Sequence, residues 1–196
     1  MKTKIVISML LLTIAPLSAQ EQTLLSGHSD HGGFGGPTYQ LTQFGDQFAF
    51  LSGGRGGWII DHTIYLGAAG YGLAHHIKMD TGPQTDHYLN LGYGGLELGA
   101  ILASNRLIHA TVSTLAGGGG ANYLYKAWDG DLTDESVMDA FYIIEPSLQL
   151  IVNVTRYFRI GMGASYRYVS GVELEGISDD YLSGPSASLT FKFGKF

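Results

Sequence analysis

Residues 157–169 read YFRIGMGASYRYV. Phe158, Ile160, Met162, Ala164, Tyr166 and Tyr168 fall on one parity, and Arg159, Gly161, Gly163, Ser165 and Arg167 fall on the other. Side chains of a β-strand alternate between its two faces, so this pattern predicts a strand with one apolar and one polar face. In a soluble sheet the charged face meets water. In a closed barrel within a bilayer the apolar face meets lipid and the polar face lines a lumen. Which solvent surrounds this strand is decided by the rest of the chain.

Charged residues are 14% of the chain, 29 of 196 residues are Gly, and aromatics make up 12%. A soluble domain usually carries about 25% charged residues. Low charge with abundant Gly, Tyr and Phe fits strands that curve tightly and face lipid. A secreted sandwich or a soluble barrel is the structural rival. It would put the Arg, Glu and Gln parity outside and large Tyr, Phe and Trp side chains inside. The net charge of −6 argues against nucleic acid as a partner. Residues 1–19 read as a signal peptide, with Lys2 and Lys4 before the apolar run 5–12 and Ala19 ahead of a cut. There is no Cys, which excludes a disulfide frame.

Residues 20–36 contain GHSDHGGFGGP and read as an irregular lead-in. His28, Asp30 and His31 are two imidazoles and a carboxylate with no further ligand in view, so no metal is expected there. From residue 37 to 196 the alternation recurs. Tyr39 and Leu41 oppose Thr38, Gln40 and Thr42, and a turn follows at Gly45-Asp46. Over 47–60, Phe48, Phe50, Trp58 and Ile60 oppose Arg55. The GGRGG around Arg55 lacks the Lys-Ser/Thr and helix of a phosphate loop; glycines that bend the strand or make room for Arg55 explain it better. Over 63–74, Ile64, Leu66 and Ala68 share a face.

Segment 88–102 begins with Leu89, Leu91 and Tyr93 on one parity and ends with Leu96, Leu98, Ala100 and Leu102 on the other. A β-bulge at Gly94-Gly95 would restore one apolar face and place Glu97 with Asn90. Over 107–118, Ile108, Ala110, Val112 and Ala116 oppose His109, Thr111 and Ser113. Segment 119–138 reads as a long acidic loop with Asp129, Asp131, Asp134 and Glu135. Over 139–153, Tyr142, Ile144, Leu148 and Leu150 oppose Glu145, Ser147 and Gln149, and Pro146 signals a bulge or a local break. A second acidic loop, 170–182, carries Glu173, Glu175, Asp179 and Asp180. Over 186–194, Ala187, Leu189, Phe191 and Phe193 oppose Ser188, Thr190 and Lys192.

The pattern predicts eight antiparallel strands. Connections after the third, fifth and seventh are long, those after the second, fourth and sixth are short, and the first is short and breaks the pattern. Such alternation marks barrels with short turns on the periplasmic side and long loops outside. The chain resembles the small eight-stranded outer-membrane β-barrels of Gram-negative bacteria, the class of the OmpA transmembrane domain and OmpX. The resemblance rests on the strand pattern, TRYFRIGMGASYRY, and the closing SLTFKFGKF with Phe196. It implies a closed up-and-down all-β transmembrane barrel in contact with outer-membrane lipid. It also implies recognition by the barrel-insertion machinery through a C-terminal aromatic residue. The usual register of that class is absent here. Leu189, Phe191 and Phe193 are one step out of phase with Phe196, so a bulge at Gly194 or an unpaired end is expected.

If the apolar faces meet lipid, the lumen receives Arg55, Glu97, His109, Glu145, Gln149, Arg159 and Arg167. Eight strands leave an interior that side chains fill. Buried charges need partners, so three arginines and two glutamates predict a salt-bridged plug. The same pairs could instead gate a narrow channel for small solutes. Lipid-modifying enzymes need a Ser-His-carboxylate constellation. His109 and Ser113 share a face, with Glu97 or Glu145 as orienters, but about 13 Å of strand separates them, and Thr111 between is a poor substitute. No catalytic residue, metal or cofactor is expected. The acidic loops lack the twelve-residue calcium pattern and are expected to be solvated, with an extracellular ligand as the functional alternative. The reading is an outer-membrane barrel with a filled lumen and a structural or surface-interaction role.

Overall fold

A computed structural model describes residues 30–75, 77–79, 87–126, 132–134, 138–174 and 176–196. The expected signal peptide, His28, Asp129, Asp131, Glu135 and Glu175 lie outside the described residues. The strands are β1 (His31–Phe44), β2 (Gln47–Ile60), β3 (Ile64–Leu73), β4 (Ile77–Met79), β5 (His87–Leu102), β6 (Ile108–Lys126), β7 (Leu132–Asp134), β8 (Asp139–Asn153), β9 (Phe158–Ser170) and β10 (Gly184–Lys195). One helical turn, α1 (Asp179–Leu182), precedes β10.

The pairing order β5-β3-β2-β1-β10-β9-β8-β6 closes through β5–β6 into a ring of eight antiparallel staves. β4 and β7 are short additions that pair with β5 and β6 beyond the ring. The long staves exceed the roughly 9–11 residues that cross a bilayer. Because the stave count is even, both ends of the chain's barrel lie on one side, here called the periplasmic end. The turns at Asp61-His62, 103–107 and 154–157 share that end. Asp61 and His62 have φ of 51° and 54°, and the Thr63 amide donates to the Ile60 carbonyl at 3.1 Å, so both central residues of this turn are left-handed, as the strand twist favours.

Outward and inward faces are opposite to those of a soluble barrel. Leu41, Trp58, Leu66, Leu98, Leu148, Leu150 and Met162 are each more than half exposed. Thr38, Gln40, Glu97, Gln149, Arg167 and Thr190 are each no more than 2% exposed. The opening stretch is β9: Met162, Tyr166 and Tyr168 face out, and Arg167 is buried inside. The exposed rings of Phe48, Tyr142, Tyr166 and Tyr168 stand near the outer end, and those of Trp58, Tyr157 and Phe193 near the periplasmic end. Two aromatic rims with an aliphatic belt between them suit the two interfaces of a bilayer.

Several expectations need correction. No bulge interrupts β5: its pairing with β3 and β6 runs in constant register through Gly94 and Gly95. Leu89, Leu91 and Tyr93 point inward on Glu97's parity, and Asn90 points out. The physical reason is that the outer third of the lumen is apolar, so an apolar parity there does not mean lipid. Leu51, Tyr71, Leu89, Leu91, Tyr93, Leu115, Phe141 and Ile143 form this layer. Gly119 and Gly120, expected to open a loop, continue the strand, and the glycine run 117–120 pairs with Gly92, Tyr93, Gly94 and Gly95. A Cβ at Gly117 would collide with the Gly94 carbonyl, so glycine permits this close strand approach. Pro146 marks a local break without a bulge. Its neighbours pair with β9 in one register on both sides, but residues 145 and 146 do not. β1 starts at His31, so residues 31–36 belong to the wall rather than to a lead-in.

The second acidic loop is not simply solvated. Its Ile177 and Leu182 are buried, at 6% and 0% exposed, in the outer apolar layer. Asp139 Oδ2 accepts from the Glu173 and Leu174 amides at 2.7 and 2.9 Å, and Asp179 Oδ1 accepts from the Val172 amide at 2.8 Å. Ser178 caps α1 by accepting from the Tyr181 amide. The Gly45 amide donates to the Tyr181 carbonyl at 3.1 Å, which ties this segment to the β1–β2 turn. Residues 171–174 and 176–183 thus fold over the outer mouth as a cap, held by carboxylates that act as backbone acceptors.

Candidate functional site

The lumen is layered. The outer layer is apolar and capped. The middle holds two carboxylates. Glu97, on β5, is 1% exposed, and its Oε1 pairs with Arg55 Nη2 from β2. The same oxygen accepts from Tyr65 Oη at 2.8 Å and Ser113 Oγ at 2.7 Å. Arg55 has room because Gly53 and Gly57 flank it on the inward parity of β2; a Cβ at Gly53 would strike the Gly70 carbonyl. The glycines of GGRGG therefore serve curvature and space.

Glu145, on β8, takes no arginine directly. Its Oε1 accepts from Gln40 Nε2 at 2.8 Å and Ser165 Oγ at 2.6 Å. Tyr93 Oη lies 2.9 Å from both Glu145 Oε2 and Gln40 Oε1. Arg167 reaches that phenol at 3.4 Å, donates from Nε to the Leu182 carbonyl at 2.8 Å, and donates to Thr42 Oγ1 at 3.2 Å. Its guanidinium also lies 4.6 Å from the Phe44 ring centroid. Arg167 thus joins the middle layer to the cap. Gln149 donates to Thr190 Oγ1 at 3.3 Å.

The seven residues expected in the lumen all line it, but they do not form the expected set of salt bridges. Among the described residues, Arg55–Glu97 is the ion pair of the lumen. Arg159 is half-buried at the periplasmic end, where its guanidinium sits 3.9 Å from the Phe196 centroid. His109 lies at that same end and makes no hydrogen bond to Ser113 or to a carboxylate among the described residues. Ser113 is instead engaged with Glu97 and, at 2.7 Å, with Ser147. Sequence reasoning overlooked Tyr93, Tyr65, Gln40 and Lys192. Lys192 and Gln40 share the polar parity and could have been found there, but the tyrosines are hidden among apolar neighbours.

No bulge interrupts β10 at Gly194, and Phe196 lies beyond the last paired residue, as the second expectation had it, yet its ring is packed. The β10 register is constant through Gly194, and Phe196 follows the inward parity. Its ring stacks on Phe34 with centroids 6.4 Å apart and closes the periplasmic mouth. Asp30, outside the wall, is bound by His62 Nε2 at 3.3 Å and Lys195 Nζ at 3.5 Å, and His31 packs on Trp58. The His62 hydrogen bond, helped by the Lys195 charge, holds the Asp30 carboxyl below its ordinary range.

Two voids in the lumen are small. One, between Arg55, Glu97, Glu145 and Gln149, has a volume of about 10 Å³; another, above Phe196, also has about 10 Å³. Each is about one water in size. Neither joins the two ends of the barrel.

No protein-family profile matches the chain, and no curated protein is similar to it in sequence. Solved structures are similar in shape. Neisserial surface protein A matches with a TM-score of 0.52 at 13% identity, over 87% of this chain and 100% of that one. The N-terminal β-barrel domain of Pseudomonas aeruginosa OprF matches at 0.54 with 14% identity, over 85% and 99%. The outer membrane protein OprG from Pseudomonas aeruginosa matches at 0.56 with 10% identity, over 86% and 97%. The fold is that of the small outer-membrane β-barrels.

Proposed function

We propose that the protein is an integral outer-membrane barrel with a structural or surface-interaction role. The observation that carries this reading is the combination of an apolar exterior with a lumen filled by side chains. An apolar belt of this extent is costly in water and stabilised in lipid. The filled lumen supports a wall or a platform over a conduit, and the folded cap and the outer ends of β5 and β6, lengthened by β4 and β7, offer a surface to the outside. Three experiments test it. After cell fractionation the chain should remain in the outer-membrane pellet through high-salt and alkaline washes; release into the aqueous phase would overturn the membrane reading. In planar bilayers the refolded protein should be electrically silent. Steady openings that vanish on changing Arg159 or Glu145 would replace the filled barrel with a narrow channel. Product formation from outer-membrane lipids, lost in His109→Ala, would replace it with a lipid-modifying enzyme.

A further inference from the structure

The periplasmic end of the lumen differs from its middle in one respect: no Asp or Glu side chain lines it beside its basic groups. Lys192 is 5% exposed, and its Nζ lies 4.7 Å from the Phe34 centroid and 5.7 Å from that of Tyr65. His109 is 4% exposed, and its buried Nδ1 has no hydrogen-bond partner. Arg159 has a buried, unpartnered Nε. All three line the small void above Phe196, together with Thr111, and no Asp or Glu lines it. Ring faces compensate a buried cation less completely than a counter-ion does. Glu97, in the layer above, accepts from Arg55, Tyr65 and Ser113 through Oε1, and no ion pair joins it to Lys192 or Arg159 among the described residues.

Phe196 borders the void. It lies one residue beyond the last residue of β10 and is held by the Phe34 stack and the Arg159 guanidinium. We propose that this end of the barrel is a binding site for a phosphate-class oxyanion, formed by Lys192, Arg159, His109 and Thr111, with the Phe196 ring as its stopper. The void of about 10 Å³ is too small for such an anion, so the ring swings out as the anion enters. Arginine and lysine then exchange ring faces for charge-assisted hydrogen bonds, and the Thr111 hydroxyl donates a further one. The anion is either free in the periplasm or the phosphate of a headgroup in the adjacent leaflet; the chemistry at the site is the same.

The full chain, refolded in a sugar-headed detergent that carries no phosphate, is titrated with inorganic phosphate and separately with a short-chain phosphatidylglycerol. Side-chain resonances of Lys192, Arg159 and His109 report binding, with heat-dependent gel migration as the control for folding. A saturable shift at these three groups is expected. Its affinity should fall by about tenfold or more in Lys192→Met, as expected for loss of one charge-assisted bond, and rise in Phe196→Ala. Saturation by phosphate alone assigns a free anion, and saturation by the lipid alone assigns a headgroup. Should Phe196→Ala fail to refold, Lys192→Met and Arg159→Gln decide the matter on the wild-type background. No saturable shift with either probe, or binding unchanged in Lys192→Met, overturns the site.

Discussion

Glu97→Gln is the most informative single change in the lumen. The amide keeps an oxygen for Tyr65 and Ser113, which now donate at 2.8 and 2.7 Å, and is nearly isosteric with the carboxylate. What it removes is the charge that meets Arg55, in a pair whose side chains are 4% and 1% exposed. A buried ion left without its partner costs about 3–5 kcal/mol. Folded domains are stable by only about 5–15 kcal/mol, so this is a large fraction of the whole. With a denaturant slope of about 2 kcal/mol per molar urea, the unfolding midpoint should fall by about 1.5–2.5 M. The assay is reversible urea unfolding in lipid vesicles, followed by tyrosine and tryptophan fluorescence. Adding Arg55→Met to Glu97→Gln removes the stranded charge, and the double variant should recover at least about 2 kcal/mol relative to the sum of the singles. A Glu97→Gln barrel within about 1 kcal/mol of wild type, or strict additivity in the cycle, would refute the claim that this pair is the electrostatic centre of the lumen.

Leu182→Ala removes a fully buried side chain from the outer apolar layer and should cost about 2–5 kcal/mol; amide exchange should quicken across 171–183 before it quickens in the staves. Leu148→Arg, halfway along the outward face of β8, should cost about 2–4 kcal/mol in a bilayer, measured by urea titration in vesicles, whereas a water-facing position would tolerate it. The Asp30 carboxyl should titrate below its ordinary value by NMR and return toward it in His62→Ala. Because that pKa is depressed in the folded state, the His62 and Lys195 contacts contribute at pH values above the ordinary carboxylate pKa and are lost as the pH falls through the depressed one.

The strand count, the inversion of faces and the turn sides are legible because they follow from parity alone. Met162, Tyr166 and Tyr168 alternate with Arg159 and Arg167, and no interior detail is needed to read that. Legibility fails where the lumen itself becomes apolar. Leu89, Leu91 and Tyr93 carry the lipid-facing signature but point inward, because the outer layer is a hydrophobic core under the cap. Parity reports a difference between faces; it does not say which face is which when both are apolar. The same blindness hides Tyr93, whose hydroxyl joins Glu145 and Arg167 from an otherwise apolar run. Arg167 is legible as a lumen residue. Its bond to the Leu182 carbonyl is not, because it depends on a loop 15 residues away whose acidic composition suggests solvent. Phe196 is misread for a related reason: an aromatic on the inward parity looks like an error of phase, whereas it closes the mouth.

Since the chain contains no Cys, single cysteines can be introduced one at a time along β9 without a background thiol. The most direct test of an inside-out, sealed barrel is fluorescence of a small label at residues 160–167 in vesicles, quenched by bromine atoms on the lipid tails. A period of two is expected: strong quenching at 160, 162, 164 and 166, weak quenching at 161, 163, 165 and 167, and little quenching at the second set by aqueous iodide. Uniform quenching by iodide across the whole stretch, or a reversed alternation, would contradict it.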